Sequence, residues 1–203
     1  MDFFKKDTTA KILFVGYIIL FTALAFNPYD RADWWAENVP IAGIAIVLAV
    51  LYSKGIKFSP TAYVLMAVLV YMHTIGGYYT FERVPFGWFN NTFGFKRNMY
   101  DRVAHFTVGF YAYAISELLY KRKLVKNKIM LFLFSVFAIA TVAMSYELLE
   151  WWFAASYGGN SGAAFLGSQG DIWDAQKDML CDTLGGILAG SVFLWQYRKK
   201  KLA

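Results

Sequence analysis

Between Gly170 and Asp182 the chain reads Gly-Asp-Ile-Trp-Asp-Ala-Gln-Lys-Asp-Met-Leu-Cys-Asp, with aspartates at 171, 174, 178 and 182. On an α-helix this spacing gathers Asp171, Asp174, Asp178 and Asp182 within an arc of roughly 80° and spreads them along about 16 Å of axis. Two other segments carry ionisable residues at helical spacing. In Tyr100-Asp101-Arg102-Val103-Ala104-His105-Phe106, Asp101 and His105 stand four apart, and in Glu147-Leu148-Leu149-Glu150 the glutamates stand three apart. Both spacings put the pair on one helix face. Carboxylates brought close repel, and protonation, a basic partner or a bound cation relieves the repulsion. Mixed Asp, Glu and His donors suit Zn²⁺, Mn²⁺ or iron, whereas oxygen donors alone suit Mg²⁺ or Ca²⁺. The expected metal set is therefore Asp101, His105, Glu147, Glu150, Asp171, Asp174, Asp178 and Asp182, for a divalent cation of unassigned identity. His105, Asp101 and Asp178 are the acid–base candidates, and Arg102 and Lys177 are positioned to hold a substrate phosphate.

Plainer readings compete at several of these positions. Asp171 and Asp174 also suit the first turn of a helix, where the macrodipole favours acids. Glu147 and Glu150 also suit ion pairs with Arg102 or Lys177. His73 stands alone on an aromatic-rich stretch and reads as a hydrogen-bonded interior residue.

The elements that must position these groups are apolar. Of the 203 residues 58% are hydrophobic and 20% aromatic, and the mean hydropathy is +0.40, which argues for a lipid-facing surface. The net charge of +6 would suit nucleic acid only if it formed one basic patch, and here the basic residues sit in short clusters between apolar runs, so nucleic acid is not an expected partner. Cys181 is the single cysteine and closes no intrachain disulfide.

A helix needs about 20 apolar residues to cross hydrocarbon. Stretches 12–26, 34–53, 59–79, 100–120, 129–155 and 171–197 meet that need and predict an all-α single transmembrane domain over 1–203, a bundle of six spans. Ser59-Pro60 predicts a capped helix start for the third. The segment from Thr80 to Asn98 reads as an interfacial loop or short surface helix, and Tyr157 to Gly170, with five glycines, as a second loop. With the N-terminus inside, 14 of the 20 Lys and Arg fall on the cytoplasmic side, which predicts both termini in the cytoplasm and the acidic site facing outward. Lys5 and Lys6 before an apolar stretch ending Ala23-Leu24-Ala25 allow a second reading of the first span as a cleavable signal peptide, which would leave five spans.

Through Tyr100 to Phe106, Glu147-Leu148-Leu149-Glu150 and the run Phe165 to Met179, the sequence resembles the YjdF-like family of bacterial inner-membrane proteins over nearly its whole length. That resemblance implies a multi-pass protein of the bacterial inner membrane and little about activity. A fainter similarity is to VanZ-like membrane proteins, through Asp101, His105, Glu147 or Glu150, Asp178 and Asp182-Thr183-Leu184-Gly185; the acids at 171 and 174 depart from it. It implies an envelope-related role.

Two functions follow as expectations. One is a metal-dependent enzyme that acts on a membrane lipid or lipid-linked phosphate. The other is a proton- or cation-coupled transporter, or a non-catalytic envelope protein whose buried acids only stabilise the bundle. The oligomeric state is not legible in the sequence.

Overall fold

The structure is a computed structural model that describes residues 3–157 and 168–199. These residues form α1 (Phe3–Leu24), α2 (Arg31–Ser53), α3 (Pro60–Tyr79), α4 (Gly87–Phe93), α5 (Tyr100–Val108), α6 (Tyr111–Lys121), α7 (Lys128–Tyr157) and α8 (Asp174–Gln196). No strand occurs among the described residues. Most of the loop expected from Tyr157 to Gly170 lies outside them.

Helix starts follow local chemistry. Asp30 caps α2, its side chain accepting from the Ala32 and Asp33 amides, and Ser59 caps α3 ahead of Pro60. The Ser59 cap is itself held. Glu117 of α6 is fully buried and accepts from the Ser59 amide at 2.7 Å and the Ser59 hydroxyl at 2.5 Å, while Lys121 neutralises it. One buried carboxylate thus ties the α2–α3 turn to α6.

Two helices organise the bundle. α8 packs on α5, α6 and α7, and α3 packs on α1, α2, α5 and α6. The core between them holds Ala62, Met66, Ala112, Tyr113, Leu131, Ile139, Ala189 and Phe193. Gly186 and Gly190 of α8 are buried against Ile139 and Phe132 of α7, so this small-residue face is used for internal packing. Large apolar side chains of α1, α2 and α7 face outward, among them Ile19, Ile46 and Phe137. A soluble surface would not carry them; hydrocarbon would.

α2, α3, α7 over Lys128–Ser156, and α8 are long and apolar enough to cross a membrane, and the apolar part of α1, Thr8–Leu24, is shorter. The stretch 100–120, expected as one continuous helix, is divided into α5 and α6. Gly109 and Phe110 form a tighter turn, with Phe110 donating to Thr107 and Ala112 to Gly109. At this turn Gly109 rests directly on the α8 backbone at Asp182, Gly185 and Gly186, where any side chain would collide. α8 also begins later than the stretch 171–197. Asp171 lies in a turn ahead of it and so does not share the helical face of Asp174, Asp178 and Asp182.

The segment between α3 and α5 contains the short helix α4, with Trp88 and Phe93 exposed, as the aromatic composition of that loop predicts for an interfacial segment.

Candidate functional site

The contact between α5 and α8 brings the charged residues together. Asp101, Arg102 and His105 rise from the first turns of α5, and Asp174, Asp178 and Asp182 from one face of α8. A ligand atom from each of Asp101, His105 and Asp178 falls within 4.8 Å of the other two. His105 Nε2 lies 3.7 Å from Asp101 Oδ1 and 3.8 Å from Asp178 Oδ1, and its Nδ1 lies 3.3 Å from Asp182 Oδ2. The imidazole is therefore at the centre of three carboxylates. Asp182 is 1% exposed, and its second oxygen, Oδ1, is buried without a hydrogen-bond partner. Such an orphaned acceptor costs about 1–3 kcal/mol, more when charged, and marks a place where a proton or cation would be welcome.

Arginines close the side of the cluster nearest the start of α8. Arg102 is buried and pairs with Asp174 and Asp178, with Asp171 at 3.4 Å. Arg97, in the segment before α5, meets Asp174 at 2.6 Å and Asp101 at 3.5 Å. Lys177 reaches back to Asp171 at 2.7 Å. Hydrogen bonds to Lys177 and to the Trp173 amide hold the Asp171 carboxyl below its usual range. Arg102 and Lys177, the residues expected to hold phosphate, are thus occupied by the cluster's own carboxylates.

Beyond His105 the cluster opens into a cavity of about 230 Å³. Asp101, His105, Asp178 and Asp182 line one wall; Asp33 and Glu37 of α2, His73 of α3, and Tyr146 and Glu150 of α7 line the other. His73 Nε2 lies 2.9 Å from Glu37 Oε2, and the Tyr146 hydroxyl lies 3.2 Å from that same oxygen. The Tyr146 ring stands between the two imidazoles, its centroid 6.4 Å from each. The remaining wall is apolar, with Pro40, Ile41, Ile44, Leu69, Val108 and Val142. One cavity joins a charged end to an oily one.

Of the eight expected metal ligands, three come within ligating distance of each other and Asp182 touches them through His105. Glu150 lines the cavity. Glu147 is buried with Oε1 unbonded but does not line it, and neither glutamate pairs with Arg102 or Lys177 among the described residues. Asp171 and Asp174 belong to the arginine clamp. Sequence spacing missed Arg97, Glu37 and Tyr146, which no local motif marks; His73 is hydrogen bonded, and it also faces the cavity.

A bundle of outward-facing apolar helices closed around buried carboxylates and imidazoles defines an integral membrane protein of the all-α class. The chain belongs to the family described as "Predicted membrane protein (DUF2238)", whose model matches residues 9–200. It is 34% identical over 188 residues to the inner membrane protein YjdF of Escherichia coli (strain K12), covering 91% of this chain and 87% of that protein. These matches bear out the YjdF-like resemblance and its bacterial inner-membrane location, and they do not show the VanZ-like one. No solved structure matches the chain.

Proposed function

We propose that this protein binds a divalent cation at Asp101, His105 and Asp178 within the membrane, and that the bound cation acts on the phosphate of a lipid or lipid-linked substrate. The observation that carries this reading is the meeting of those three residues' ligand atoms within 4.8 Å at the charged end of a cavity whose other end is apolar. Metal–oxygen and metal–nitrogen bonds of about 2.0–2.6 Å would fit such a ring with small side-chain adjustments. The cation would polarise a phosphoryl oxygen and lower the pKa of bound water. His105, Asp101 and Asp178 hold it, and Asp182 fixes the imidazole from behind. Arg102 keeps the aspartates of α8 apart and partly neutralised, so its role is to position them.

The same reading takes the bundle as six crossings, with α5 and α6 together making one, both termini in the cytoplasm and the cavity facing outward. The clustering of Lys and Arg supports that orientation.

Release of inorganic phosphate tests it. Purified protein in vesicles containing phosphatidic acid or a polyprenyl diphosphate is expected to release phosphate with Zn²⁺, Mn²⁺ or Mg²⁺ and to stop with a chelator. No release with any of these ions would remove the enzymatic reading.

A second reading has its own observation. The groups from Asp182 through His105 and Tyr146 to Glu37 and His73 form a nearly continuous series across the cavity. Such a series suits a proton or cation relay. Cation-driven acidification or alkalinisation of protein-loaded vesicles, without phosphate release, would favour it.

A further inference from the structure

The cavity is bounded on one side by α2 and α7, yet these two helices share no extensive packing. α2 is held by α3, and α7 by α6 and α8. A side-chain hydrogen bond from Tyr146 to Glu37 links one to the other at the charged end. Below it the seam is lined by Ile44 from α2 and Val142 from α7. Val142 is 55% exposed on the outside of the bundle while it lines the cavity within. A residue can do both only at an opening. Val142 stands at the middle of the thirty-residue α7, so this opening faces hydrocarbon rather than the head-group layer. Its apolar rim and the absence of extensive packing between the helices both fit a mouth that a hydrocarbon chain can enter without breaking polar contacts.

We infer that the α2–α7 seam is a lateral portal through which a lipid enters from the bilayer, its hydrocarbon chain lying between Ile44 and Val142 and its phosphate head carried up to His105. The head-group half of this statement rests on the cation-dependent reading above; the chain half rests on the seam alone. The charged wall explains why the head stops where it does, since a phosphate cannot pass the carboxylates without a bound cation between them. Tyr146 and Glu37 form the lintel of the portal.

The test uses the full chain in vesicles of phosphatidylethanolamine and phosphatidylglycerol, doped with phosphatidic acid that carries a diazirine midway along one acyl chain. Photolysis and peptide mapping are expected to place adducts on the cavity-lining residues Ile44, Leu69 and Val142. Val142→Trp, which fills the mouth from its exposed rim, is expected to reduce labelling of Leu69 several-fold. Val47→Trp, on the exposed face of α2 but outside the cavity lining, is expected to leave it unchanged. Val142→Ala serves as a second variant that cannot crowd the fold and is expected to raise Leu69 labelling. Adducts spread evenly over outward-facing residues, with Leu69 labelled equally in all four proteins, would overturn the portal. Metal content separates this from the site itself: Val142→Trp is expected to keep the cation bound by the wild type. Loss of labelling with metal retained supports the portal, whereas absence of metal from both proteins, with seam labelling intact, would refute only the head-group half.

Discussion

His105 Nδ1 lies 3.3 Å from Asp182 Oδ2, which turns the opposite nitrogen, Nε2, toward Asp101 and Asp178. A carboxylate behind a histidine fixes the ring's orientation and tautomer and raises its basicity as a ligand. The pair also crosses from α5 to α8, so the ligand's orientation depends on the helix contact that holds the bundle together.

Asp182→Ala should therefore weaken cation binding without abolishing it, by about 10–100-fold, the range seen when the outer partner of a ligating histidine is removed. Calorimetric titration of the purified protein with Zn²⁺ or Mn²⁺ measures this. An unchanged affinity would mean that Asp182 does not orient His105.

The α5–α8 contact makes a sharp prediction about two adjacent glycines. A Cβ on Gly185 would run into the Phe106 carbonyl, whereas one on Gly186 would sit 3.5 Å from Ile139, an ordinary contact. Gly185→Ala should cost about 1–3 kcal/mol, the usual range for overpacking, and Gly186→Ala should be nearly neutral. Thermal unfolding in detergent compares them; equal effects would contradict the described helix contact.

Arg102 is 5% exposed and sits among Asp174, Asp178 and Asp171, so Arg102→Gln leaves buried carboxylates without their counter-charge. The expected loss is about 3–5 kcal/mol, as for removal of one partner from a buried pair. Arg97→Gln, at a more exposed position, should cost less. A denaturant series that ranks the two the other way would contradict the clamp.

Much of this arrangement was legible in the residues. The helical spacing of Asp174, Asp178 and Asp182 needed only the period of the helix, and so did the pairing of Asp101 with His105. The meeting of those two faces was an inference from cost, because buried charge must find partners. What stayed hidden was long-range. Arg97 lies in a segment with no helical period, and nothing local marks it as the partner of Asp174 across 77 positions. Glu37 and Tyr146 read as isolated polar residues until α2 and α7 are placed on either side of one cavity. The division of stretch 100–120 was hidden for the same reason: it falls at Gly109, which rests on the α8 backbone, and hydropathy carries no record of that contact.

Asp171 supplies the pH dependence. Its carboxyl is held below the ordinary value of 3.8 by Lys177 and the Trp173 amide, and it precedes α8. A depressed folded value contributes stability that is complete above the unfolded carboxylate's value and is lost as pH falls through the lower folded one. The prediction is that near neutrality the wild type is more stable than Asp171→Asn by a margin that does not change with pH. Below about pH 3.8 the wild type should lose an advantage that Asp171→Asn never had, so the two acid-unfolding curves converge. Curves that stay parallel through that range would contradict the Lys177 pairing.

The most direct test of the central claim is elemental analysis of the purified protein beside Asp178→Asn, which keeps the size of the side chain and removes one ligating charge. A bound divalent metal in stoichiometric amount in the wild type, lost or sharply reduced in the variant, is the expected result. Equal metal in both proteins, or none in either after exposure to Zn²⁺ and Mn²⁺, would contradict a cation held by Asp101, His105 and Asp178.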